Sequence, residues 1–500
     1  MKLLTETYKK DIAFTLSCFD RLIITGTLLD ISYSSGITSY LYQKGVKIFD
    51  YPKFAEPFKD CIRANAERIA SENGVEIEFI RKSGVRKESI ISKKLEQRGN
   101  HPGIVHILSA METCNTFKPW HDKTTGKTYL RPDQSKCLHY YFYFIDEYVG
   151  LGYVRVPTWC PFRLQVYVNG HNLLASELKG SGIKYTMIDN AFDSIEDAKK
   201  AQELSDSLSI EKLHRKLEEF AWQFCPVYKD FNLRYHWSVM QAEYATDIVF
   251  KKQEDLQQIY GELIATAIHT VKPENIATFL GHKLDTRYQG EVGNNYNIRI
   301  EGSRIKHTMG SSSIKMYDKF GKILRIETTT NDISFFKHYR EVVHHDGTTS
   351  HEIASLKKNI YSLTFLSDNL GDSNKRYLEF ISAFDNKEVG RKRLEKVTSS
   401  KNDNNRNYKG FNFFSDVDLS FLIAILRGEF NIYGFRNKNL QKLLGLSGSK
   451  ISRLIKRLRV HGLIKKATDS YKYYITKIGK ETITIAQKIK ELVLVPAYCY

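Results

Sequence analysis

Residues 439–476 read NLQKLLGLSGSKISRLIKRLRVHGLIKKATDSYKYYIT, and the changes of period within them decide the architecture at this end of the chain. A short helix is expected through 437–444, entered from Asn437. The polar turn Ser447-Gly448-Ser449 opens a longer helix, in which Ile451, Leu454, Ile455 and Leu458 recur at spacings of three and four. That spacing puts them on one helical face. Lys450, Ser452, Arg453, Lys456 and Arg457 are left facing outward. GLIKKA and YKYYIT then read as two strands around a turn at Asp469-Ser470, a hairpin carrying Lys465, Lys466 and Lys472. Upstream, Leu419, Leu422, Ile423 and Leu426 predict a further helix over 416–427.

This succession resembles the winged helix of the MarR-like transcription regulators, over about 411–490. The resemblance implies that the third helix enters a major groove and that the hairpin lies along the nucleic-acid backbone. Lys450, Ser452, Arg453, Lys456, Arg457, Lys465, Lys466 and Lys472 would be the nucleic-acid-binding residues. Charge agrees independently. Residues 411–500 hold 16 Lys and Arg against 6 Asp and Glu, a net +10 out of +18 for all 500 residues. Cations supply the phosphate contacts that dominate affinity, while Arg453 or Arg457 can reach guanine edges. Protein contact is the alternative use of such a module. The regulators dimerise through flanking helices, but here the trailing helix, 481–492, is short and a large unrelated body precedes it.

That body has ordinary globular composition, with 42% hydrophobic and 26% charged residues, and a basic pI of about 9.3. A polyanion is the expected partner. No stretch reaches the roughly 18 apolar residues of a membrane span. The opening MKLLTETYKK lacks an apolar signal core, so no membrane partner and a cytoplasmic location are expected. The 7 cysteines form no CxxC clip and read as reduced, mostly buried thiols. Strand-like and helical runs alternate over 1–110, and an aromatic-rich β region spans 137–171. The fold class is therefore α+β. A mixed α/β N-terminal body (1–225) is followed by an α+β central domain (226–397), an Asn-rich linker (398–410) and the winged helix-turn-helix (411–500). Helices are expected at 334–343, 355–366 and 374–386, and Lys118 to Lys136 reads as a basic loop. Nothing in the sequence assigns an oligomeric state.

Residues 297–339 carry the candidate chemistry. SIKMYDK and ILRIETT read as strands joined by a Phe-Gly turn, with Lys315, Tyr317 and Lys319 on one face and Arg325 and Glu327 sharing another. The order GSR…IKMYDK…LRIE…Y is similar to the core of rolling-circle replication initiators of plasmids and filamentous phages. That resemblance implies Tyr339 as nucleophile, with Tyr317 in reserve, and Lys319 and Arg325 as catalytic partners. There is no His-hydrophobic-His metal motif. A tyrosine attacking phosphorus needs a cation, and Glu243, Asp247 and Glu327 are the candidate ligands for Mg²⁺. The alternative is that Arg325 and Glu327 pair with each other and with neighbours for purely structural reasons. No GxxxxGK[ST] or dinucleotide fingerprint occurs. The sequence thus points to a nucleic-acid-binding protein of mobile-element or replication-initiator type that recognises a site and cleaves one strand. Its rival is a non-catalytic binder, either a regulator or the partner of a structured RNA.

Overall fold

A computed structural model describes residues 3–82, 84–231, 233–284, 288, 290–299, 302–382, 397–412, 415–468 and 470–490. The chain opens with helix α1 (Leu4–Thr7), strand β1 (Ile12–Leu28), helices α2 (Ser34–Gln43) and α3 (Tyr51–Asn73), strand β2 (Ile77–Ile80) and helix α4 (Lys87–Arg98). Strands β3 (Gly103–His121), β4 (Thr128–Asp146), β5 (Gly150–Pro157) and β6 (Leu164–Asn169) follow. Helix α5 (Gly170–Gly180), hairpin β7 (Tyr185–Met187) and β8 (Phe192–Ile195), and helices α6 (Ala198–Asp206) and α7 (Ile210–Phe224) come next. Then come β9 (Tyr235–Phe250), α8 (Gln253–Thr270), α9 (Pro273–Phe279), β10 (Val292–Arg299), β11 (Gly302–Met309), β12 (Ser312–Lys319) and β13 (Ile323–Thr330). Hairpin β14 (Lys337–Val343) and β15 (Thr349–Ser355) leads to α10 (Leu363–Ile381), and β16 (Lys401–Asp403) and β17 (Arg406–Tyr408) form another hairpin. The C-terminal module comprises α11 (Asp416–Ile425), α12 (Gly428–Tyr433), α13 (Asn437–Leu444), α14 (Gly448–Val460), β18 (Ile464–Lys466), β19 (Tyr473–Ile475) and α15 (Lys477–Lys488). This is an α+β protein, and no helix among the described residues is long and apolar enough to cross a membrane.

Two compact units divide the chain. The first comprises Met1–Leu16, Ala245–Thr329 and Asn369–Tyr500; the second comprises Ser17–Tyr244 and Thr330–Asp368. This partition differs from the expected boundary at 225/226. Strand β1 leaves the first unit at Leu16, and β9 returns to it at Ala245.

In the second unit the strand order is β1-β6-β5-β4-β3-β2, antiparallel except for the parallel β2–β3 pair. Strand β4 shows why its two faces differ. Successive side chains point to opposite sides, so HYYFYF sends Tyr141 and Tyr143 one way and Phe142 and Phe144 the other. The phenylalanine side is packed by α7, whose Leu213, Leu217, Phe220 and Phe224 fall at helical spacing. Phe142 stacks on Phe224 at 4.8 Å, and Phe144 meets Phe220 at 4.7 Å. The tyrosine side is covered at one end by α4, where Ile91 packs with Val105, Leu108, Tyr141 and Tyr143.

The first unit has strand order β10-β11-β12-β13-β9. Every residue of β13 is buried, so both of its faces are covered. In the C-terminal module Phe421, Leu422, Ile425, Leu440, Ile451, Ile455, Leu458 and Ile464 share one core. Helix α12 rests on α9 so closely that a side chain at Gly428 would press on Thr278 and come within 2.6 Å of the Glu274 carbonyl.

Several expectations need correction. Residues 398–410 are no open linker: they form the β16–β17 hairpin, and Phe411 N donates to Val397 O at 3.0 Å. Instead of the helix expected over 334–343, β14 pairs with β15 in register from Lys337↔Ser355 to Val343↔Thr349. The turn at His344 to Thr348, with Gly347 at φ 81, lets the chain fold back, and a hairpin outcompetes the short helix. The helix expected from 355 begins at Leu363. Most of the expected Lys118–Lys136 loop is ladder, since β3 and β4 pair out to His121↔Thr128. Strand β10 carried no clear apolar alternation and was not expected. Residue 469 of the expected hairpin turn, and 383–386 of the expected helix, lie outside the described residues.

Replacing Gly428 by Val should wedge α12 from α9 and lower stability by about 1–3 kcal/mol, the usual cost of overpacking. Thermal melting checks this, and an unchanged midpoint would refute the α12–α9 contact.

Candidate nucleic-acid interface

Helix α14 is capped by Ser447, whose hydroxyl accepts from Lys450 N at 3.4 Å, and it buries Ile451, Leu454, Ile455 and Leu458. Lys450, Ser452 and Arg453 are exposed on its N-terminal half, as is Arg459 near its end. Ser452 Oγ accepts from Asn437 Nδ2 at 2.7 Å, which joins α13 to α14. On the hairpin Lys465 and Lys466 are exposed and Lys472 half-buried; Lys466 lies over the Tyr471 ring and Lys472 over Tyr474.

A cleft of about 470 Å³ opens between the start of α13, the flank of α14 and the hairpin. Among the described residues its lining includes four cations, Arg436, Lys438, Lys456 and Arg459, with Tyr471 and Tyr473 and no carboxylate. Arg436, Lys438, Arg459 and Tyr471 were missed from the sequence. The spacing of three between Lys456 and Arg459, on the flank beside the turn, was the available signal.

Two expected contacts with nucleic acid are corrected. Arg457 does not face solvent: it donates to both Asp418 oxygens, at 2.8 and 2.9 Å, and from Nε to Lys409 O at 2.8 Å. Its guanidinium lies 4.0 Å from the Phe411 ring. Lys456 pairs with Asp403 of the β16–β17 hairpin at 2.6 Å, half-exposed beside the cleft. The cause is the hairpin itself, which brings a carboxylate and free carbonyls against the last turns of α14.

In the first unit the polar face of β12 and β13 is paired internally. Glu327, 2% exposed, is held by Lys315 Nζ at 2.5 Å and accepts from the Tyr317 hydroxyl at 2.7 Å. Arg325, fully buried, donates to both oxygens of Asp247, at 2.6 and 2.7 Å. Arg325 therefore cannot touch a substrate, and Asp247 serves as its counter-ion where a metal ligand was expected. Arg325 and Glu327 do not pair with each other. Lys319 lies half-buried beside the Phe320 ring.

In the second unit, Tyr339 is 67% exposed on β14 and packs loosely beside His351. It stands on a hairpin strand, within the stretch expected to be helix. Glu243 is half-buried on β9, and its carboxylate lies within 4.8 Å of that of Asp20 on β1, a residue the sequence reading passed over. Asp20 also sits 3.0 Å from His171 Nδ1 and accepts from Asn190 at 2.9 Å. An acidic residue inside the apolar run CFDRLII was the overlooked signal.

Comparison with family models, curated proteins and solved structures found no match.

Arg457→Ala should strand the buried Asp418 carboxylate and cost about 3–5 kcal/mol. Arg453→Ala, at an exposed position, should change stability by no more than about 0.5 kcal/mol. Denaturant unfolding separates the two, and equal effects would contradict the assignment of Arg457 to the fold.

Proposed function

We propose that this chain is a nucleic-acid-binding protein that grips a duplex through the exposed face of α14 and the β18–β19 hairpin. The observation that carries this reading is the cleft beside α14, with Arg436, Lys438 and Arg459 around it, Lys456 shared with Asp403 at its edge, and no carboxylate among its described lining residues. Exposed Lys450 and Arg453 extend that surface toward the end of the helix that reads bases in helix-turn-helix proteins. Site recognition of this kind fits a replication-initiator or mobile-element protein whose larger body acts on the bound nucleic acid. If Lys450, Arg453, Arg459 and Lys465 each neutralise a phosphate, each Ala variant should reduce the slope of log affinity against log salt by about 0.9. Affinity that ignored salt in the unmodified protein would refute the reading.

A second reading, Mg²⁺-dependent cleavage of one strand, has its own support. Two carboxylates as close as Asp20 and Glu243 favour a shared cation. Bound magnesium would supply Lewis acidity at the phosphate. Asp20→Asn and Glu243→Gln should then abolish cleavage of labelled single strands while leaving binding intact. Tyr317→Phe and Tyr339→Phe would show which hydroxyl, if either, forms a covalent adduct. Wild-type protein that cuts no substrate in Mg²⁺ or Mn²⁺ would remove this reading and leave the binder.

A further inference from the structure

The open side of the second unit's sheet carries a separate site. Thr25, Gln165 and Arg155 stand in one row across β1, β6 and β5, paired residue to residue, so their side chains share a face. They floor a trough of about 460 Å³ that Tyr33, Trp159, Pro161 and Arg163 also line. Among the described residues its lining includes two arginines and two histidines and no Asp or Glu. Arg155 is held by Glu112 at 2.8 Å, but the same carboxylate also takes Lys87 at 2.8 Å, so two cations share one anion. Burial works to raise the Glu112 carboxyl, yet Lys87, Tyr141 and Arg155 hold it down at about 2, so it stays ionised. With the exposed Arg163 added, the trough keeps a positive excess.

The remaining lining suits an aromatic, polar-edged ligand. Tyr33 is 62% exposed, and Trp159 is half-buried. Asn115, Gln165 and Ser238 offer donors and acceptors. His139 Nδ1 donates to the Cys137 carbonyl at 3.1 Å, which leaves Nε2 as an acceptor. Burial, aided by Arg155, pushes this imidazole down to about 4, so it is neutral at physiological pH. Cations for a phosphate, flat rings for a base and amides for its edge are together the chemistry of a nucleotide.

We propose that this trough binds a nucleoside phosphate unit, with the phosphate at Arg163 and Arg155 and the base against Tyr33 and Trp159. The unit is either a free nucleotide or part of an unpaired strand. The site does not rest on the α14 reading, since it uses other residues in the other unit. The test uses the full chain, a fluorescein-labelled oligothymidylate, adenosine monophosphate and a labelled duplex. Arg163→Glu and Tyr33→Ala, both at exposed positions, should each weaken oligothymidylate binding about tenfold or more and leave duplex affinity unchanged. Lys450→Ala/Arg453→Ala should do the reverse. Adenosine monophosphate binding as tightly as the oligomer would assign the site to free nucleotides; binding of the oligomer alone would assign it to a strand. If both variants bind oligomer and monophosphate like the unmodified protein, or the unmodified protein binds neither, the proposal fails, whatever the duplex result.

Discussion

A guanidinium taken out of water must be met by a carboxylate in good geometry, and the first unit is organised around two places where this happens. Arg325 on β13 meets Asp247 on β9 with two parallel hydrogen bonds, fixing the two strands laterally. Arg457 on α14 meets Asp418 on α11 and the carbonyls at the end of the β16–β17 hairpin. Neither arginine is available to a ligand. The consequence for α14 is a division of labour around its axis: Arg457 belongs to the fold, while Lys450, Arg453 and Arg459 remain at the surface.

This division explains what could and could not be read from residues alone. The helices of the C-terminal module were legible because Ile451, Leu454, Ile455 and Leu458 repeat at 3.6-residue spacing, and the GLIKKA and YKYYIT strands because turn residues separate them. The helical wheel sees only one helix, however. It cannot know that a hairpin built from Asn-rich sequence will lie on the outer face and bring Asp403 to Lys456. Likewise the alternation in SIKMYDK placed Lys315 and Tyr317 together, and Glu327 proved to be their shared partner. That Arg325 would choose Asp247 over Glu327 depended on strand order, which no local period encodes. The strand around Tyr339 looked helical because its half-buried positions include His338 and Arg340 while Tyr339 and Val343 face solvent, so the apolar alternation that marks a half-buried strand is missing.

The sheet of the second unit shows the opposite case, in which a local pattern carries far. Strict alternation in HYYFYF separates a face that must be covered from one that tolerates water. Phenylalanine has no polar atom to satisfy and is sealed by α7. Tyrosine, arginine and histidine on the other side have partners of their own, so part of that side can stay open without penalty. The high aromatic content of the chain thus serves packing on one surface and leaves a ligand-sized recess on the other.

The interleaving of the two units has a consequence for synthesis. The second unit holds Ser17–Tyr244 but also Thr330–Asp368, while the first holds the extreme N-terminus and everything after Asn369. A ribosome delivering about 5–20 residues per second therefore leaves the second unit without its closing segment for several seconds after Tyr244 has emerged. The first unit waits longer still, because α1 begins it and α15 belongs to it. During that interval the packed face of β4 can already close on α7, since both precede Tyr244 in sequence. The half-strands at Leu16 and Ala245 have no complete unit to join, and early termination of the chain would leave their apolar edges as seeds for association rather than as a smaller working protein.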